Sequence, residues 1–322
     1  MLTRRRMLAS AAVMGTSLAA MGVGVVRAAA PTVRTAVDFD VPRGACDCHV
    51  HVFDPARFPY ASERVYTPPE ASVSDLRDLQ TALRFDRVVI VQPSVYGTDN
   101  SCTLAAIRQL GTRARGVAVI DKDTSASALD AMAAAGVRGV RLNFETAGET
   151  NPDAIRRALA AVAEQVRSRN WHVQLNTSLP VIAALHGDFA ALAFPLVLDH
   201  FARAKAALGP SQAGFDALLS LVKSGRAYVK ISAAYRTSEK APDFPDATAL
   251  AQALVAANPD RIVWGSNWPH PGRGATRADI APPYPNDDGL LLNQLPKWVP
   301  DAATRKKILV DNPARLYGFE GA

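Results

Sequence analysis

From residue 45 onward the chain repeats one pattern eight times: a short β-branched, apolar run, then a longer segment that is mostly amphipathic. The runs fall at 45–53, 88–92, 116–120, 139–143, 172–176, 196–199, 228–232 and 262–265. Between two of them Ile155, Leu159, Val162 and Val166 form a stripe at helical spacing, opened by Asn151-Pro152-Asp153 as a cap. The segments 125–135 and 215–224 end at Gly136 and Gly225, both suited to helix C-caps. Strand–helix alternation with no break in composition predicts an α/β chain forming a single (β/α)8 TIM barrel over 44–322, after a lead-in at 31–43. An open doubly wound sheet is the competing architecture, but no Gly-rich dinucleotide fingerprint follows any of the runs.

In such a barrel the chemistry sits at the C-terminal ends of the strands. The unusual polar residues fall there: His49 and His51, Ser94, Arg141 and Asn143, Asn176, His200, Ser232, and Asn267 just past the eighth run.

The first 30 residues read as a separate segment. Arg4-Arg5-Arg6 precedes a weakly hydrophobic stretch at 8–26, and Ala28-Ala29-Ala30 supplies small residues for a signal peptidase. These features predict a twin-arginine signal peptide at 1–30, export to the periplasm and no stable membrane anchor after cleavage. An uncleaved anchor is the other reading, and the low hydrophobicity of the stretch disfavours it. Removing Arg4, Arg5, Arg6 and Arg27 lowers the formal charge from +6 to +2, so the basic balance offers no footing for nucleic acid. The three cysteines, Cys46, Cys48 and Cys102, read as buried small side chains, since neighbours two apart in a strand cannot bridge comfortably.

Within the first run lies Asp47-Cys48-His49-Val50-His51. Strand alternation puts Asp47, His49 and His51 on one face and Cys46, Cys48 and Val50 on the other. Two imidazoles together at a strand end point to metal binding or proton transfer. Arg141, Arg203 and Arg236 are candidates for gripping a carboxylate, because a guanidinium fork matches it bidentately. Ser94 and Tyr96 could bond a substrate oxygen or close the turn at Gly97, while His172, His186 and His270 read as structural.

Six stretches carry a resemblance to a known family: Asp47–Pro55 with its HxH, Gln92–Asn100, Gly139-Val140-Arg141, Asp199-His200-Phe201-Ala202-Arg203, Trp264–Pro271 and Asp311–Phe319. Together they resemble the amidohydrolase superfamily, in the branch of 2-pyrone-4,6-dicarboxylate lactonase and galactarolactone isomerase. The resemblance implies an enzyme working at the carbonyl of a small carboxylated lactone, by hydrolysis or by ring isomerisation. His49, His51, His200 and Asn267 would be catalytic, with Ser94, Arg141, Asn143, Asn176, Arg203 and Arg236 binding substrate. Metal-dependent members hold zinc with further ligands after the fifth and eighth strands, where this chain has Asn176 and Asn267. No cofactor is therefore expected; zinc, if bound, would rest on His49, His51 and His200. An amide cannot take a proton near neutral pH, so Asn267 would orient a hydroxyl without activating water. One arginine of the lactonase pattern, six residues after Arg141, is Ala147 here. A zinc-dependent hydrolase or decarboxylase, and an exported solute-binding protein on an inactive barrel, are the alternative readings.

Overall fold

The computed structural model describes residues 33–320, so the expected signal peptide lies outside the described residues. Eight strands follow the sequence pattern: β1 Cys46–Val50, β2 Arg87–Val91, β3 Ala114–Ala118, β4 Val137–Asn143, β5 His172–Asn176, β6 Leu196–Leu198, β7 Ala227–Ser232 and β8 Ile262–Gly265. They pair in parallel in the order of the chain. The ends of this sheet meet where the Asn267 N–H donates to the His49 carbonyl at 2.9 Å and Val50 bridges Trp268. Gly265 sits at this seam because a Cβ there would press on the His49 backbone. The result is the single (β/α)8 barrel that the alternation predicts.

Two apolar layers follow from strand parity. Ile90, Val88, Leu196, Leu198, Val229 and Ile231 face outward into a layer shared with the helices. Val89, Val91, Val117, Val197, Tyr228 and Val263 fill the interior with Cys46 and Cys48, and Tyr317 and Phe319 of the C-terminal segment join them. The lower end of the barrel is thus plugged mainly by apolar side chains, with His172 a buried polar exception, and the hydrogen-bonded polar groups gather at the upper end.

The helix Pro152–Arg167 forms as its stripe predicts. Asn151 caps it by accepting from the N–H groups of Asp153 and Ala154, and Ile155, Leu159, Val162 and Val166 are its buried face. None of the described residues belongs to a helix long and apolar enough to cross a membrane.

One local expectation fails. The pairing of β1 with β2 loses register between Asp47 and Val50, so simple alternation does not hold across the HxH. Cys46 and Cys48 face the interior, whereas Val50 belongs to the outer layer. The irregularity carries His49 inward while Asp47 stays at the β1–β8 seam, its Oδ1 accepting the N–H groups of His49 and Ser266 at 3.1 and 3.0 Å.

Candidate active site

The floor of the upper end is built on a fully buried lysine. Lys230, projecting inward from β7, donates to the Cys48 carbonyl at 2.9 Å, to Gln174 Oε1 at 2.7 Å and towards His49 Nδ1 at 3.3 Å. An ammonium has three protons, and three acceptors surround it. Asp199 completes the group: Oδ1 lies 3.6 Å from Lys230 Nζ and 3.3 Å from His49 Nδ1. Its Oδ2 accepts from Gln174 at 3.1 Å and from Arg141 Nε and Nη2 at 3.4 and 3.3 Å. Burial works against the Asp199 charge, but His49, Lys230 and Arg141 together hold its carboxyl well below the usual range. Burial also lowers Lys230, and Asp199 opposes that loss.

Three imidazoles stand on this floor, with ring centroids 5.0 Å apart for His49 and His51 and 4.6 Å for His49 and His200. Burial, reinforced by Lys230, pushes His49 down to about 3; burial and their cationic surroundings push His51 and His200 well below their ordinary value. All three rings are neutral at physiological pH. The bond between His51 Nδ1 and the Val91 carbonyl, 2.8 Å long, fixes a tautomer: a carbonyl only accepts, so Nδ1 carries the proton and Nε2 is a bare acceptor. His49 Nδ1 lies 3.3 Å from both the Lys230 ammonium and Asp199 Oδ1, and its Nε2 is a buried atom with no partner. His200 Nδ1 lies 2.8 Å from Ser232 Oγ.

Above them opens a cavity of about 290 Å³, walled by His51, His200, Asn267, Arg141, Asn143, Asn176, Arg203 and Arg236, together with Tyr66, Glu145, Arg273 and Tyr284. Asn267 sits in the left-handed region at φ 67°, which asparagine tolerates better than most residues, and its Nδ2 donates to Tyr235 Oη at 2.6 Å. The turn after β6 is sharper still: His200, Phe201, Ala202 and Arg203 all have positive φ. Ser94 is not in the cavity wall; it bonds Tyr66, which is.

The amidohydrolase family profile matches residues 46–319. The chain belongs to the amidohydrolase family. It is 35% identical over 300 residues to a 4-sulfomuconolactone hydrolase from Rhizobium radiobacter, covering 92% of this chain and 97% of that one. It is 35% identical to a 2-pyrone-4,6-dicarboxylate hydrolase of Comamonas testosteroni, covering 87% and 92%. A D-galactarolactone isomerase from Agrobacterium fabrum is 32% identical, with 86% and 91% covered. Among solved structures, an apo protein from Agrobacterium tumefaciens superposes with a TM-score of 0.77 at 28% identity, covering 89% of this chain and 100% of the other.

This amidohydrolase places the predicted residues unequally. His51, His200, Asn267, Asn143, Asn176 and the three arginines reach the cavity, and His49 lies just beneath. Arg141, however, is spent on Asp199, and Arg203 donates to Glu145 at 2.9 Å. Among the three arginines read as carboxylate grips, Arg236 alone has no carboxylate partner. Its Nε is buried and unbonded, and its guanidinium stacks on Tyr235 and Tyr284 at 5.4 and 5.7 Å. His270 is held by Asp288 at 3.0 Å, away from the floor, and His172 packs edge-on against Tyr317, as structural residues do.

Asp199, Lys230, Gln174 and Tyr235 were not singled out from sequence. A signal existed: Lys230 shares strand parity with Ser232, and a lysine inside a buried strand demands acceptors.

Members of this family often use zinc. The metal-capable group among the described residues is His49, Asp199 and His200, so Asp199 stands in place of the expected His51. The set does not suit a divalent cation. Lys230 already places an ammonium 3.3 Å from His49 Nδ1 and 3.6 Å from Asp199 Oδ1, and Arg141 takes the other carboxylate oxygen.

Proposed function

We propose that this amidohydrolase acts on the carbonyl of a small carboxylated lactone, by ring isomerisation or hydrolysis, using neutral imidazoles and no metal. The observation that carries this reading is the wall itself. It combines an acceptor nitrogen on His51, an amide at Asn267 and a guanidinium on Arg236 that lacks any carboxylate partner. A substrate carboxylate would dock on Arg236. That contact would hold the lactone carbonyl over the imidazoles, where His49 Nε2 is buried without a partner. His51 Nε2 would accept a hydrogen bond from the attacking hydroxyl, which Asn267 orients. With no ionised base at Asn267 to activate water, the substrate's own hydroxyl, already held beside the carbonyl, has the advantage of proximity, and isomerisation is favoured over hydrolysis. The hydrolases and the isomerase among its relatives support the reaction class.

The test is to incubate the protein with aldarate lactones and with 2-pyrone-4,6-dicarboxylate, with and without a chelator. Proton NMR distinguishes ring isomers from open acid. Turnover that survives chelation is expected; turnover lost on chelation and restored by zinc overturns the metal-free part. In the same assay Arg236→Met should raise KM for the acid by at least about tenfold, and much less for its methyl ester. Equal losses on acid and ester would make Arg236 structural. We also propose export by the twin-arginine pathway, which fractionation of cells carrying Arg4→Lys/Arg5→Lys/Arg6→Lys would test.

A further inference from the structure

Four guanidiniums line the cavity, those of Arg141, Arg203, Arg236 and Arg273. Two are neutralised from within the protein: Asp199 holds Arg141, and Glu145 holds Arg203 at 2.9 Å. Glu145 is placed there by the single helical turn Phe144–Ala147 that follows β4, a turn capped by Asn143 Oδ1 accepting the Thr146 N–H. Asn143 Oδ1 also accepts from Asn176 Nδ2 at 3.0 Å, which leaves Asn176 Oδ1 buried with no partner. The β4–β5 side of the cavity thus presents an unfilled amide oxygen and a glutamate. Both are acceptors, and a carboxylate or sulfonate, which only accepts, would be repelled there. A hydroxyl donates and fits.

We propose that Glu145 sets the substrate class: by occupying Arg203 it leaves one anion slot, at Arg236 and Arg273, and gives the β4–β5 side to substrate hydroxyls. The substrate is then a hydroxylated lactone with a single anionic group, not a planar dianion. The proposal rests on the lactone reading above, but unreactive probes test it without turnover.

Calorimetry would compare D-gluconate, a hydroxylated monoanion, with pyridine-2,4-dicarboxylate, a planar dianion. Wild type should bind gluconate more tightly. Glu145→Gln should tighten the dicarboxylate by about tenfold, the effect of freeing one guanidinium for a charge-assisted pair, while gluconate binding holds or weakens. Adding Arg203→Met to Glu145→Gln should abolish the gain. The glutamate side chain is 37% exposed on a one-turn helix, and an unchanged melting temperature would check that the variants fold. A wild-type preference for the dicarboxylate, an equal shift for both probes, no shift at all, or a gain that survives Arg203→Met would each overturn the proposal. A failure of every lactone to react would instead sink the proposed function and leave these binding ratios standing.

Discussion

Asn267 decides which reaction the residues favour. Its main-chain N–H ties the β1–β8 seam and its side chain donates to Tyr235, so the carboxamide is held from both ends. An aspartate fits the same place: it too tolerates positive φ, and the Tyr235 hydroxyl can turn from acceptor to donor. Asn267→Asp should therefore fold and supply a base for water. General-base assistance is typically worth ~10²–10⁴ in rate, so hydrolysis relative to isomerisation should rise at least tenfold, read by NMR in a chelator. A flat product ratio in a folded variant would show that Asn267 does not set the outcome. The candidates at this scale were legible because histidine and arginine are rarely buried without a task. Their partnerships were not. Nothing in the spacing says that Arg141 is spent on Asp199 or that Lys230 stands against His49, since both contacts join segments far apart in the chain.

At the scale of elements, the eight strands were readable to within a few residues because β-branched runs, glycine stops and the Asn151 cap act locally. The register break inside β1 was not, because parity arguments assume an unbroken pleat. β4 and β5 show how tightly such elements are matched. Gly139 on β4 pairs with His172 on β5, and a Cβ at Gly139 would run into the His172 ring. The ring cannot retreat, since Tyr317 packs edge-on against it at 5.2 Å. Gly139→Ala should cost about 1–3 kcal/mol of stability by overpacking, measured by urea unfolding. His172→Ala in the same chain should recover part of that loss. A Gly139→Ala variant as stable as wild type would mean that the barrel floor yields more readily than its packing suggests.

For the whole molecule, the buried titratable groups pull stability in opposite directions as pH changes. His49 and His172 are pushed to about 3 by burial, and His51 and His200 well below their ordinary value. Each takes up a proton near pH 6.5 when unfolded but not when folded, so its contribution is present above 6.5 and is lost as pH falls. Asp47 behaves oppositely: burial raises its carboxyl to about 7, so the folded state keeps a proton that the unfolded state releases near 3.8. That contribution is lost as pH rises from about 4 through 7. Between pH 4.5 and 6 the unfolded chain therefore binds a net of about three more protons, and stability should fall with acid by roughly 4 kcal/mol per pH unit. Asp47→Asn removes the one opposing proton, so its stability should fall more steeply with acid by roughly 1.4 kcal/mol per pH unit. Urea unfolding at half-unit pH steps, in chelator so that no metal adds its own proton linkage, measures both slopes. If Asp47→Asn runs parallel to wild type, the seam carboxyl is ionised in the folded protein. The Asp47 Oδ2, buried without a partner, would then carry an uncompensated charge directly behind the imidazoles.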